Sequence, residues 1–175
     1  MAKPKIQTLI IPDNGIFPNN GTLSLILMQH VFDPATKNLV RSIEETFHGN
    51  AWERSWRNGV FTFHHYHSTA HEVLGLYSGR VKAQFGGPDG QAVTAKAGDV
   101  IIIPAGVAHK NLDQSPDFCC VGAYPAGQSP DMQYGKPGER PLADKNIRSV
   151  PLPKTDPAFG KNGPLLEIWE KALKT

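Results

Sequence analysis

The chain predicts an all-β fold, and three observations carry that prediction. Its apolar residues fall in short runs, 17 glycines and 15 prolines stand mostly between those runs, and the runs recur at the short, regular spacing of a sandwich or barrel. With 175 residues and 39% hydrophobic content, the chain is the size of one compact domain able to bury its own core. Residues 1–175 are therefore read as a single domain, with its sheet-forming core at about 59–124.

Taken in order, Ile6 to Ile11 and Leu23 to Phe32 read as strands, parted by the turn formers Pro12-Asp13-Asn14-Gly15 and Pro18-Asn19-Asn20-Gly21. A helix follows, with Asp33 as N-cap, Pro34 at the first helical position, Leu39, Ile43 and Phe47 on one face and Gly49 at the C-terminal left-handed position. It is expected to lid one end of a sheet. Trp52 and Trp56 lead into Arg57-Asn58-Gly59, after which Val60 to His67, Val73 to Tyr77 and Val81 to Phe85 read as strands, closed by the turn Gly86-Gly87-Pro88-Asp89-Gly90. Ala92 to Ala95, Val100 to Ile103, Ala108 to Leu112 and Phe118 to Tyr124 continue the rhythm. Beyond Tyr124, prolines at 125, 130, 137, 141, 151, 153 and 157 punctuate a segment that cannot hold a central strand and is expected to wrap the sheets as extended chain. Pro164 begins a final amphipathic helix in which Leu165, Leu166, Trp169 and Leu173 share a face and Lys171 and Lys174 complement the C-terminal dipole.

Charge excludes one class of partner. A formal net charge of +2, with 18 basic and 16 acidic residues and no basic block, gives no footprint for phosphate backbones, so no nucleic acid is expected. The opening Met1-Ala2-Lys3-Pro4-Lys5-Ile6 and the short apolar stretch after it are broken too early for a secretory leader, and no apolar run approaches a membrane span. A cytoplasmic protein is expected. Cys119 and Cys120 are adjacent, so a bond between them would close a small strained ring; two reduced thiols on a strand are expected instead.

The chemistry-bearing stretch is His64-His65-Tyr66-His67-Ser68-Thr69-Ala70-His71-Glu72. Side chains two apart on a strand point the same way, so His65 and His67 converge with Phe61 and Phe63 behind them, while His64 and Tyr66 face out. Glu72 opens the next strand level with the pair. His109 follows Pro104-Ala105-Gly106, whose tight reversal can bring one more imidazole across a cavity. Three neutral imidazoles and one carboxylate would leave a divalent first-row ion with residual positive charge and open positions, an arrangement suited to chemistry rather than to a closed structural site. His71 is either a ligand in place of Glu72, its orienting neighbour, or an exposed turn residue. Trp52, Trp56, Asn111 and Tyr124 are candidate cavity walls, and His30 and His48 are ordinary strand and helix-end residues.

Gly59, His65, His67, Glu72 and Gly79, with Gly98, Pro104, Gly106 and His109, agree in identity and spacing with the two conserved motifs of the cupin superfamily, which this chain resembles over its central half. It departs from the second motif at Asp113, where asparagine is usual, although Asn111 stands nearby. The resemblance implies an antiparallel jelly-roll barrel, a double-stranded β-helix of six to eight strands, holding one divalent transition metal ion (Fe, Mn, Ni or Zn) in its mouth. It also implies a small-molecule substrate or ligand, and self-association, here a homodimer. Cupins span oxygenases, isomerases and non-catalytic binding proteins, so membership does not fix a reaction. Glu72 is the candidate for a catalytic base as well as a ligand.

Overall fold

The structure, a computed structural model, describes residues 3–175; the expectation about the opening residues therefore falls partly outside the described residues. Nine strands, β1 (Lys5–Ile11), β2 (Asn20–Gln29), β3 (Trp52–Asn58), β4 (Glu72–Ser78), β5 (Arg80–Phe85), β6 (Gln91–Lys96), β7 (Val100–Ile103), β8 (His109–Gln114) and β9 (Cys119–Pro125), accompany three helices, α1 (Leu39–Gly49), α2 (Leu142–Ser149) and α3 (Pro164–Ala172). All ladders are antiparallel. They join the strands into a six-stranded sheet, ordered β1-β2-β7-β4-β9-β3, and a three-stranded sheet, ordered β6-β5-β8. The strands thus form two sheets, as in a β-sandwich.

The sheets pack face to face. Leu25, Leu27, Leu74, Leu76, Ile101 and Ile103 meet Val81, Ala83, Phe85, Val93 and Ala95 in one buried cluster. On the other side of the larger sheet, Ile26, Met28, Val73, Val100, Ile102 and Val121 pack beneath Leu39, Ile43 and Phe47 of α1 and Leu165 and Trp169 of α3. Both faces of β2 and β7 are therefore dry, which is why Leu25–Met28 and Val100–Ile103 are unbroken apolar runs rather than alternating ones. Helix α1 covers a face of this sheet, not its end. Its close approach depends on Gly75, where a Cβ would lie 2.7 Å from Ile43 Cγ2 and 2.8 Å from Phe47 Cζ. Gly75→Val is expected to cost about 1–3 kcal/mol by overpacking, read as a lowered melting temperature; an unchanged melting temperature would contradict this packing.

Several elements differ from expectation for identifiable reasons. Asp33-Pro34 forms a turn, with Asp33 accepting from Ala35 and Thr36 N–H, and α1 starts only after Asn38 in the left-handed region at φ 58°. At its other end Ala51, at φ 59°, takes the left-handed role expected of Gly49. β3 is an edge strand whose register shifts between Glu53 and Trp56, with Arg54 at φ 55°, and that irregularity erases the period-two pattern. Val60 to His67 is not a ladder strand. It crosses between the sheets, and its backbone bonds β8 through Asn111 N–H to Phe61 O and through the reciprocal His65 and His109 pair. The proline-rich segment holds α2 as well as extended chain. Leu173 lies at the C-cap of α3 and is 57% exposed rather than on the buried face.

Candidate metal centre

Three elements deliver the four buried side chains around the centre. The crossing segment brings His65 and His67, the first residue of β4 is Glu72, and the first residue of β8 is His109; all four are buried. The backbone pair between His65 and His109 sets their rings 4.1 Å apart, centroid to centroid, with His67 5.9 Å and 5.8 Å from them. One ring nitrogen from each imidazole lies within 4.8 Å of the others. Glu72 Oε2 lies 3.4 Å from His67 Nε2 and 3.2 Å from His109 Nε2, yet this buried oxygen has no hydrogen-bond partner.

The far nitrogen of every ring is already engaged. His65 Nδ1 donates to Phe63 O at 3.0 Å, His67 Nδ1 to Asp131 O at 2.5 Å and His109 Nδ1 to Val107 O at 2.9 Å. A carbonyl can only accept, so each Nδ1 carries the hydrogen, and in the neutral ring Nε2 presents a lone pair. Three backbone carbonyls thus fix the tautomers that a cation requires, the outer support expected around ligand imidazoles. Together with the unpartnered carboxylate oxygen, this donor set fits a divalent first-row ion. Burial lowers the His65 pKa to about 3. Burial also opposes charge on His67, but the adjacent Glu72 carboxylate outweighs it and raises that ring to about 8. Glu72 is itself held below the usual carboxylate range, because the neighbouring His67 and His109 overcome the opposing effect of burial.

The centre forms the floor of a cavity of about 280 Å³, walled by Trp56, Val60, Phe61, Leu74, Tyr124 and Met132 with Arg57, Asn58 and Gly59 also lining it. Tyr124 Oη donates to Glu72 Oε1 at 3.2 Å and accepts from Trp56 Nε1–H at 2.9 Å. Trp56 and Tyr124 are therefore cavity walls as expected. Trp52 is not; it is buried among the helix-facing residues with its indole N–H on Thr155 O. Asn111 also lies apart from the cavity wall and bonds Gln114. Phe61 and Phe63 are not buried behind the histidines. They stack on each other and are 48% and 44% exposed, because the crossing segment bends where a straight strand was expected.

His71 is neither exposed nor aimed at the centre. It is buried against Trp169, with rings 4.7 Å apart, and its Nδ1 accepts from Ala105 N–H, so it secures the base of α3 to the loop before His109. Of the two residues expected to face outward, Tyr66 is fully buried, donating to Glu139 beneath the C-terminal segment, and His64 packs against Phe17. Asp131 and Met132 contribute to the centre without a local signal, since an aspartate and a methionine among prolines match no spacing rule. Among the described residues both cysteines are free, and no helix is long and apolar enough to cross a membrane.

Paired antiparallel sheets carrying both motifs, with three clustered histidines, are the arrangement that the resemblance to cupins implies. The chain belongs to the family of the uncharacterized protein YjlB of Bacillus subtilis (strain 168), to which it is 47% identical over 165 residues, 94% of this chain and 97% of that protein. No protein-family model matches the chain. Among solved structures it is similar to acireductone dioxygenase from Bacillus anthracis, determined with cadmium in its active centre, at 14% identity over 73% of this chain and 82% of that one, TM-score 0.39. It is also similar to a DUF861 family protein from Thermotoga maritima at 21% identity over 51% and 92%, TM-score 0.32.

Proposed function

We propose that the chain holds one divalent transition metal ion, iron, manganese, nickel or zinc, through His65, His67, Glu72 and His109, and acts through it on a small molecule as an enzyme of oxygenase or isomerase type. The observation that supports this most is the set of three Nδ1–H groups tied to backbone carbonyls, which leaves three Nε2 lone pairs available in one cluster, two of them within 3.4 Å of an unpartnered carboxylate oxygen. When bound, the ion supplies Lewis-acid polarisation of a substrate oxygen. The chain's own groups do the rest. Tyr124 fixes Oε1 of Glu72 so that Oε2 faces the histidines, the apolar walls exclude water, and Glu72 is the one carboxylate placed to accept a proton from a molecule in the cavity.

Elemental analysis of untagged protein is expected to show about one such ion per chain, as the donor count of one site requires; no stoichiometric metal would overturn the proposal. A proton must leave His67 for the ion to bind below pH 8, since that ring's pKa is raised to about 8. Affinity is therefore expected to rise by about tenfold per pH unit from pH 6 toward 8 and then level off, read by competition with a chelator. An affinity that is flat over that interval would contradict the assignment of His67.

One observation favours a second reading, a non-catalytic binding protein. Trp56 and Tyr124, the polar aromatic groups beside the centre, spend their hydrogen bonds on each other and on Glu72, leaving no acid–base group outside the donor set. Under that reading, ligands raise the melting temperature without product, whereas oxygen uptake or product formation by metal-loaded protein, absent in His65→Ala, identifies the enzyme. The outer strand β1, with Ile6 and Ile10 exposed on the open edge of the larger sheet, supports pairing as a homodimer; light scattering at micromolar concentration tests it. A cytoplasmic location belongs to the same proposal and is checked by cell fractionation.

A further inference from the structure

We infer that the molecule taken into the cavity is a monoanionic chelator on a compact apolar body, small enough for a space of about 280 Å³. This inference rests on the metal-centre reading and names its ligand class. Charge matching comes first. A divalent ion held by three neutral imidazoles and one carboxylate keeps one positive charge beside the apolar walls of Val60, Phe61, Leu74 and Met132, and an unmatched charge there is costly. One negative charge on the ligand balances it; a dianion overshoots, and a neutral molecule leaves it unmet.

The hydrogen-bonding groups say where the ligand's polar atoms can go. Trp56 N–H is spent on Tyr124, Tyr124 O–H on Glu72, and each imidazole Nδ1–H on a carbonyl. Arg57, the cation nearest the rim, gives Nε and Nη2 to Glu44 at 2.6 and 2.7 Å. The donors left over among the lining residues, Arg57 Nη1 and the Asn58 amide nitrogen, belong to exposed residues, so a sugar or a dicarboxylate reaching inward would bury unpaired oxygens against Val60, Leu74 and Trp56. The anionic head must sit at the ion. The rest of the molecule lies along apolar wall toward Phe61 and Met132, which are 48% and 37% exposed at the mouth. Without the ion the same floor shows an anion only lone pairs and a carboxylate, so binding depends on the metal.

The test is calorimetric titration of the zinc-loaded full chain, zinc being redox-silent, with mandelate, glycolate, oxalate and glucose as probes. Mandelate and glycolate share one chelating head and differ by a phenyl ring. Mandelate is expected to bind about tenfold or more tighter than glycolate or oxalate, as burial of a ring's apolar area implies, with no heat from glucose and none from any probe on metal-free protein. Phe61→Ser, a change at a half-exposed rim position, is expected to bring mandelate close to glycolate. Oxalate or glucose binding as tightly as mandelate overturns the ligand class while the metal centre stands, as does mandelate binding equally to metal-free protein. Failure of zinc to load at all overturns both.

Discussion

Replacing His109 with alanine is expected to lower metal affinity by at least about a hundredfold, beyond the tenfold to hundredfold typical of losing an outer support. His109 is the residue on which the two sheets and the crossing segment meet. Its backbone pairs with His65, its Nδ1 holds Val107 O, and its Nε2 lies 3.2 Å from Glu72 Oε2. Removing the ring deletes one donor and leaves a buried carbonyl unpaired, a cost of about 1–3 kcal/mol in stability. The backbone pair survives, so the folded chain persists with a lower melting temperature. Elemental analysis of the purified variant decides the matter: an ion retained at the wild-type level and affinity would remove His109 from the centre.

Asp131→Ala is expected to weaken metal binding by about ten- to a hundredfold, although its side chain bonds Ser68 and Gln133 rather than a ring of the centre. The Asp131 carboxylate accepts from Ser68 N–H, Ser68 Oγ–H and Gln133 Nε2, and its amide N–H donates to Thr69 Oγ1. On either side of that clasp Thr69 Oγ1 donates to Ser129 O, and Tyr66 and Gln133 exchange backbone hydrogen bonds. These contacts sew residues 129–133 onto the ligand-bearing residues 66–69, and they place the carbonyl of Asp131 on His67 Nδ1. Hydrogen bonds from Ser68 and Gln133 keep the acid ionised in spite of partial burial. Losing the clasp frees the carbonyl, and His67 loses its fixed tautomer and ring angle. Asp131→Asn keeps the shape and an oxygen on Ser68 N–H but turns a donor toward Gln133 Nε2, so it should fall between Asp131→Ala and the wild type. Paramagnetic resonance of the manganese-loaded protein separates this from general loosening, because a reoriented His67 changes the signal even in molecules that remain fully loaded. Wild-type affinity and signal in Asp131→Ala would refute the positioning role.

Strand content, the turn at Gly86–Gly90, the closing helix at Pro164 and the clustering of His65, His67 and His109 were legible in the sequence because each rests on local periodicity, turn chemistry or spacing. What was not legible depended on distant partners. β3 hides its alternation behind a register shift beside Arg54. The segment from Val60 to His67 has the composition of a strand, but it runs between sheets and finds only scattered hydrogen bonds along β8. His71 sits beside Glu72 in sequence and faces the opposite way, toward Trp169 on α3. Asp131 gains its role only by lying against Ser68 and His67, 63 and 64 residues earlier.

That last contact orders events in time. During synthesis both sheets are complete once β9 has emerged, yet the carbonyl that steadies His67 belongs to chain made afterwards. On the proposed metal reading, a nascent polypeptide halted at the end of β9 would display all four donors and still hold a cation weakly, so tight binding is expected only after the strands have formed. The closing stretch of the molecule thereby acts as a fastening on an otherwise finished receptacle, and cutting it should empty the protein before it unfolds it.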